Sequence, residues 1–284
     1  MADVASRPVL ADDLDTLVAF LRGHRRLVVL TGAGISTESG IPDYRDAAGR
    51  WKQRQPVRHQ DFLNQDAVRR RYWARSMVGW PIFHRARPNA GHQALAELEE
   101  RGHVHRLLTQ NVDGLHQAAG HRRVLELHGN LAWVVCMDCG GRTPRATVQQ
   151  VMEAANPWLA DTVARPGPDG DADLDGAPLD SFSVPACPAC GGLLKPDVVF
   201  FGDNVPRHRV DEAMAALAES DALLVVGSSL MVYSGYRFCE RARDLGKPVA
   251  AINLGATRAD PILAAKLAGS CGDSLAAISM ALTG

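Results

Sequence analysis

Short apolar runs that stop abruptly at small or polar residues recur along this chain. They are Leu27–Leu30 before Thr31-Gly32-Ala33-Gly34, Val104–Asn111, Val124–Gly129, Asp197–Gly202, Ala222–Ser229 and Pro248–Gly255. Runs without polar alternation predict strands covered on both faces, as in a parallel sheet. Helical periodicity lies between several of them. Over Asp12–Gly23, Leu14, Leu17, Val18 and Leu21 fall at i, i+3, i+4 and i+7, with Asp12 and Asp13 at the start and Gly23 at the end. Gly91–Arg101 and Arg209–Glu219 read the same way. The alternation predicts an α/β fold, a Rossmann-like parallel sheet with helices on both faces. Ligands of such sheets sit at the carboxyl ends of the strands. Here those ends read TGAGIS, TQNVD, LHGN, FFGD, GSSL and NLG, so the polar chemistry is gathered on one rim.

Two stretches break the rhythm. Residues 44–87 are rich in Arg, Gln, Trp and Tyr and read as a helical insertion. Residues 131–194 carry few strand signals and contain Cys136-x-x-Cys139 and Cys187-x-x-Cys190, each followed by two glycines. Two residues between cysteines let both sulfurs reach one ion, and four thiolates predict a single closed structural zinc. Both inserts are expected to form a small lobe on one domain spanning residues 1–284. Asp171, Asp173, Asp175 and Gly176 match the start of a calcium loop, but Phe182 stands where a bidentate Glu is required. A flexible acidic loop is the expectation.

Bulk properties narrow the partners. Apolar residues make up 46% and charged residues 22%, as in ordinary soluble domains. A formal net charge of −1 supplies no field to recruit nucleic acid or an anionic membrane, and neither is an expected partner. The opening MADVASRPVLADDLD lacks an apolar core of signal-peptide length, and no run approaches the roughly 20 apolar residues of a membrane span. A cytoplasmic location is expected. Oligomeric state is left open.

Gly32-Ala33-Gly34 after a strand suits close approach to a pyrophosphate. The ordinary dehydrogenase fingerprint is nevertheless incomplete, because Thr37 occupies the third glycine position and no acidic residue ends a second strand about 20 residues on. The longer run T-G-A-G-I-S-T-E-S-G-I-P-D-Y-R-D (Thr31–Asp46) resembles the NAD-binding loop of the sirtuins. T-Q-N-V-D-G-L-H (Thr109–His116), L-H-G-N (Leu127–Asn130), the cysteine pairs, K-P-D-V-V-F-F-G (Lys195–Gly202), G-S-S-L (Gly227–Leu230) and I-N-L-G (Ile252–Gly255) follow in that family's order. R-Y-W-A-R-S-M-V-G-W-P (Arg71–Pro81) and V-Y-S-G-Y-R-F (Val232–Phe238) resemble its class II branch. Arginine far outnumbers lysine, which suits a bacterial source.

The resemblance implies an enzyme that consumes NAD to remove acyl groups from protein lysine side chains, giving nicotinamide, O-acyl-ADP-ribose and free lysine. It places the pyrophosphate at Gly32, Ala33 and Gly34, with Tyr44 and Arg45 beside it. Gly227, Ser228 and Ser229 are implied at phosphate and ribose, and Asn253, Leu254, Gly255 and Cys271 toward adenine. Asn111 and Asp113 are implied at nicotinamide, with Ile35, Asp43, Gln110 and Val112 near them. An amide and a carboxylate together match a carboxamide. His128 is implied as general base, and an imidazole near neutrality suits that task. Val198, Val199, Phe200, Phe201 and Gly202 are implied to pair with the acyl-lysine peptide as an added strand. His116 is expected to pack or cap a helix, and Cys239 and Cys271 to be small buried residues. Tyr72 and Arg75 share a helical face, the spacing that acidic-acyl branches use for a carboxylate, although a structural role between lobes competes. Protein mono-ADP-ribosyl transfer from the same NAD site is the alternative chemistry, and an NAD sensor without catalysis is a third reading.

Overall fold

The computed structural model describes residues 11–52, 56–162, 164–165, 167–174 and 179–283. Asp175, Gly176 and the side chain of Asp12, all singled out above, lie outside the described residues. In chain order the main elements are α1 (Ala11–Gly23), β1 (Leu27–Thr31), α2 (His59–Asn64), α3 (Asp66–Arg85), α4 (Ala90–Glu100), β2 (Val104–Thr109) and α5 (Leu115–Ala118). Then come β3 (Val124–Glu126), β4 (Gly129–Cys136), β5 (Arg142–Pro144), α6 (Arg145–Ala155), β6 (Leu194–Val198) and α7 (Arg207–Glu219). The chain closes with β7 (Ala222–Val226), α8 (Tyr233–Asp244), β8 (Val249–Ile252), β9 (Ala265–Leu267) and α9 (Cys271–Thr283).

Six parallel strands form the large sheet in the order β3-β2-β1-β7-β8-β9. Strand β1 shows why its sequence is apolar throughout. Leu27 and Val29 join a core with Leu17 and Leu21 of α1, Leu95 and Leu98 of α4, and Leu275 and Ile278 of α9. Val28 and Leu30 point the other way, into a core with Leu217 of α7 and Phe238 and Ala242 of α8. Both faces are covered, so the strand has no solvent side to mark with polar residues. The direction of winding reverses between β1 and β7, which makes their carboxyl ends the crevice of the fold.

A second sheet, β5-β4-β6, is antiparallel and belongs to the small lobe. It corrects two expectations. Asp197–Gly202 is not a strand of the parallel sheet; the strand is Leu194–Val198, paired with β4, and the sixth parallel strand is the three-residue β9. Residues 131–194 do contain strands, β5 and most of β4, where Val134 and Cys136 face a common core. That core also holds Phe62, Tyr72, Trp73 and Met77 of the helical insertion, and Val148 and Met152 of α6. The insertion and the cysteine-bearing segment therefore share one lobe. Arg145 fastens them: it is fully buried and donates to the Ser76 carbonyl and hydroxyl and to Gln149 Oε1.

The acidic loop is also corrected. Asp171 is 8% exposed and pairs with Arg75 of α3 at 2.6 Å, and Arg75 Nε donates to the Ala172 carbonyl at 2.9 Å. A side chain at Gly79 would lie 2.3 Å from the Asp171 carbonyl, so glycine there lets the segment lie directly on α3. Of the charges that suggested a solvated loop, that of Asp171 is matched by an arginine from another element.

Candidate active site

At the crevice the loop after β1 meets the turn after β7. A Cβ at Gly32 would stand 2.7 Å from Ser228 Cβ, and one at Gly34 would stand 2.8 Å from the Gly227 carbonyl oxygen. Only residues without side chains let these two loops close. Gly32 N donates to Val226 O and Gly34 N to Gly227 O, so the glycines hold the crevice shut rather than aim their N–H groups outward. Ala33 begins a short 3-10 segment, Ala33–Ser39, and Ile35 is buried in the large core.

Strand β2 delivers Gln110, Asn111, Val112 and Asp113 to the same rim. Asn111 Nδ2 donates to Gly32 O and to Ser36 Oγ, both at 3.1 Å, which fixes its amide and turns its side-chain carbonyl into the remaining acceptor. Asp113 accepts from Ser36 Oγ at 2.7 Å and from Leu115 N at 2.9 Å. Burial pushes its carboxyl upward from the usual range. An amide oxygen beside a carboxylate offers acceptors to the N–H groups of a carboxamide, so the donor set fits nicotinamide. Val112 is half-buried and its carbonyl accepts from Leu131 N.

His128 occupies the turn between β3 and β4. Its Nδ1 lies 2.8 Å from the Gln110 carbonyl, and its Nε2 lies 2.9 Å from Ser234 Oγ. A carbonyl can only accept, so Nδ1 carries the proton and the lone pair sits on Nε2. The near-neutral expectation is corrected: burial, with Arg237 and Arg209 nearby, pushes the imidazole down to about 4. The ring is therefore a neutral acceptor at physiological pH. Gly129, at φ 84°, would place a Cβ 2.1 Å from Asp197 O, so β4 and β6 converge there only because it is glycine. Val199 N donates to His128 O at 2.8 Å, which sets Val198–Gly202 beside the imidazole. Phe201 O is already engaged by His59 N.

Other residues of the rim are held by local contacts. Asp43 pairs with Lys52, Arg45 donates to Gly49 O and lies 4.1 Å over the Trp51 ring, and Tyr44 packs edge-on against Trp51 and Phe201. Ser228 Oγ donates to Gln110 Oε1 at 2.7 Å, and Ser229 O accepts from Arg258 N. Asn253 Nδ2 donates to Gly255 O, Leu254 is exposed, and Gly255 passes against Ala47. Cys271 opens α9, and burial pushes its thiol and that of Cys239 up to about 12, which removes both as nucleophiles.

Sequence reasoning passed over Ser36, Ser234 and Asn89. Ser36 sits inside a motif read for its glycines and Ser234 inside one read only for its class II likeness; Asn89 caps α4 and donates to Ile35 O, linking that helix to the rim.

Behind the rim, His92, His116 and His121 form a buried row with ring centroids 4.8 and 5.2 Å apart. His116 Nε2 meets Thr31 Oγ1 at 2.9 Å, and Thr31 Oγ1 donates to Thr109 Oγ1 at 2.8 Å. Burial pushes all three imidazoles down, His92 to about 4. The unfolded chain binds those protons near 6.5, so stability present at pH 7 is lost as pH falls from about 6.5 toward 4. His92 alone accounts for about 3 kcal/mol of that loss at 1.36 kcal/mol per unit. Urea unfolding at pH 7 and pH 4.5 should show it, and equal stability at both would contradict the buried row.

At the far end of the small sheet the four sulfurs of Cys136, Cys139, Cys187 and Cys190 lie within 4.8 Å of one another. Cys136 and Cys190 are 3.5 Å apart, and Cys139 and Cys187 3.8 Å. A zinc tetrahedron with bonds of about 2.3 Å has edges of about 3.8 Å, so the tetrad fits one closed zinc.

Comparison with known proteins adds to this geometry. The model of the Sir2 family matches residues 32–234. An NAD-dependent protein deacetylase of Xanthomonas campestris pv. campestris (strain 8004) is 60% identical over 260 residues, 92% of this chain and 89% of that protein. The mitochondrial NAD-dependent protein lipoamidase sirtuin-4 of Bos taurus is 48% identical over 274 residues, 95% and 87% of the two chains. A solved Sir2 variant with deacetylated p53 peptide and 3'-O-acetyl-ADP-ribose is 29% identical, with TM-score 0.77, covering 95% of this chain and 98% of that one.

Proposed function

The chain belongs to the Sir2 family, and from that premise we propose how its residues carry out NAD-dependent deacylation of protein lysine. The protein is an NAD-dependent protein deacetylase. NAD supplies an activated anomeric carbon, which exchanges its bond to nicotinamide for one to the acyl carbonyl oxygen. Asn111 and Asp113 hold the carboxamide, Ser228 and Ser229 hold phosphate and ribose, and Asn253 lies toward adenine. Residues 198–202 orient the substrate backbone next to His128. His128 Nε2 takes the proton of a ribose hydroxyl, whose oxygen then attacks the acyl carbon. The observation that carries this assignment is the Nδ1 contact to Gln110 O, because it leaves a lone pair on Nε2. Four thiolates fill every zinc position, so the metal holds the small lobe and takes no part in the chemistry.

For the acyl group we propose neutral chains. Arg75, the residue that could clamp a distal carboxylate, is committed to Asp171 and Ala172 O. Tyr72 is packed edge-on among Phe62, Trp73 and Phe200. A carboxylated acyl group would have to displace Asp171. The test is a peptide panel of acetyl, lipoyl, succinyl and glutaryl lysine with NAD, followed by mass and nicotinamide release. The acidic acyls should show kcat/KM at least about 10-fold below the best neutral one, roughly 1.4 kcal/mol. Asp171→Ala frees the guanidinium and should narrow the gap. A carboxylated acyl as best substrate would refute this reading, and ADP-ribose covalently retained on protein would favour transferase chemistry.

A further inference from the structure

The first turn of α8 reaches the imidazole by a closed circuit of contacts. Gln110 accepts from His128 Nδ1 through its main-chain carbonyl and from Ser228 Oγ through its side chain. Ser228 Oγ in turn accepts from Leu230 N at 3.3 Å. Leu230 is buried and adopts φ 57°, a conformation that leucine rarely takes, so the turn between β7 and α8 is held in one shape by its surroundings. That turn delivers Ser234, whose hydroxyl closes the circuit on His128 Nε2 at 2.9 Å. The next residue passes close by: a Cβ at Gly235 would lie 2.6 Å from Gln110 Nε2 and would push the side-chain amide that Ser228 holds. Ser234 is the second residue of α8, past the N-cap position Val232, which makes no side-chain cap, and its hydroxyl is turned to the imidazole.

We propose that Ser234, docked by Gly235 against Gln110, is a positioning residue for His128 in the deacylation reaction. The inference rests on the general-base reading given above. A hydroxyl both donates and accepts. In the resting site Ser234 Oγ–H donates to the Nε2 lone pair and fixes the ring plane. For transfer the serine O–H first rotates off the Nε2 lone pair; the ribose proton then passes to Nε2, and the ribose oxygen keeps the electron pair for the bond to the acyl carbon, whose carbon–nitrogen π pair moves onto the lysine nitrogen. The serine oxygen then accepts from the new Nε2–H. Gln110 O and Ser234 Oγ are thereafter the two acceptors for a buried imidazolium, which burial would otherwise leave unsatisfied.

Four variants and three readouts test this. Ser234→Ala should lower kcat for acyl removal about 10-fold with the KM for NAD and peptide within twofold, and Ser234→Thr should restore most of it. Exchange of labelled nicotinamide into NAD precedes the proton transfer and should stay within twofold of wild type, whereas a merely damaged site would lose both. Gly235→Ala should reproduce the kcat defect, and combining it with Ser234→Ala should add little, because both remove the same contact. Nitrogen NMR of labelled His128 reads the contact without turnover: the Nε2 resonance should move in Ser234→Ala and return in Ser234→Thr. Unchanged kcat or an unmoved Nε2 resonance in Ser234→Ala would overturn the proposal, while a wild-type protein that removes no acyl group from any peptide would instead overturn the deacylase reading.

Discussion

Replacing His128 with alanine is expected to lower acyl removal by about 10²-fold or more while nicotinamide exchange persists. General bases contribute typically 10²–10⁴-fold. His116, the next candidate in sequence, is 1% exposed and committed to Thr31. The separation of the two activities follows from order: nicotinamide leaves as the acyl oxygen bonds to the anomeric carbon, before any ribose proton must move. Quenched-flow measurement of O-acyl-ADP-ribose beside labelled nicotinamide exchange distinguishes the steps. The pH dependence adds a sign. A free imidazole near 4 is already unprotonated at pH 7, so kcat/KM should stay level from pH 8 down to about 5.5 and fall only below that. A limb centred near 6.5 would mean that His128 is exposed to water in the free enzyme. Loss of both exchange and deacylation in His128→Ala would mean that the residue serves binding instead.

How much of this was legible in the sequence differs from place to place, for physical reasons. Strand β1 and its glycine turn were readable because burial on both faces leaves only apolar residues, and close approach to Gly227 leaves only glycine. Strand β9 was not, since three residues with Lys266 at the centre carry no periodicity. The tetrad was readable because zinc imposes spacing on each pair. The fold of the chain between the pairs was not, because its contacts are long-range: Arg75 to Asp171, and Arg145 to Ser76. The depressed pKa of His128 was equally hidden. It depends first on burial and then on Arg237 and Arg209, which converge on the imidazole only after α7 and α8 have packed.

Removal of zinc is expected to cost the small lobe and, with it, activity. Cys136 ends β4, and Cys187 and Cys190 precede β6, so one ion clamps the two strands at the end opposite His128. The other end of that pair carries the Val199 N to His128 O contact and the crowded Gly129. The core between them is modest, built on Val134, Met152, Phe182 and the α3 aromatics. Structural zinc in small modules supplies an apparent 10–16 kcal/mol, comparable to the whole stability of an ordinary domain. Chelation or Cys187→Ser should therefore lower the melting temperature by about 10 °C or more and reduce deacetylation at least about 10-fold. The parallel sheet has its own two cores, so its far-ultraviolet signature and weak NAD binding should outlast the small lobe. Zinc measured by atomic emission should be one ion per chain before treatment and near zero after it. Full activity and an unchanged melting temperature in protein stripped of zinc would mean that the thiols hold the lobe without metal. In that case the register between β4 and β6 is fixed by Gly129 and the shared aromatic core, and the tetrad would have to be reread as a redox pair.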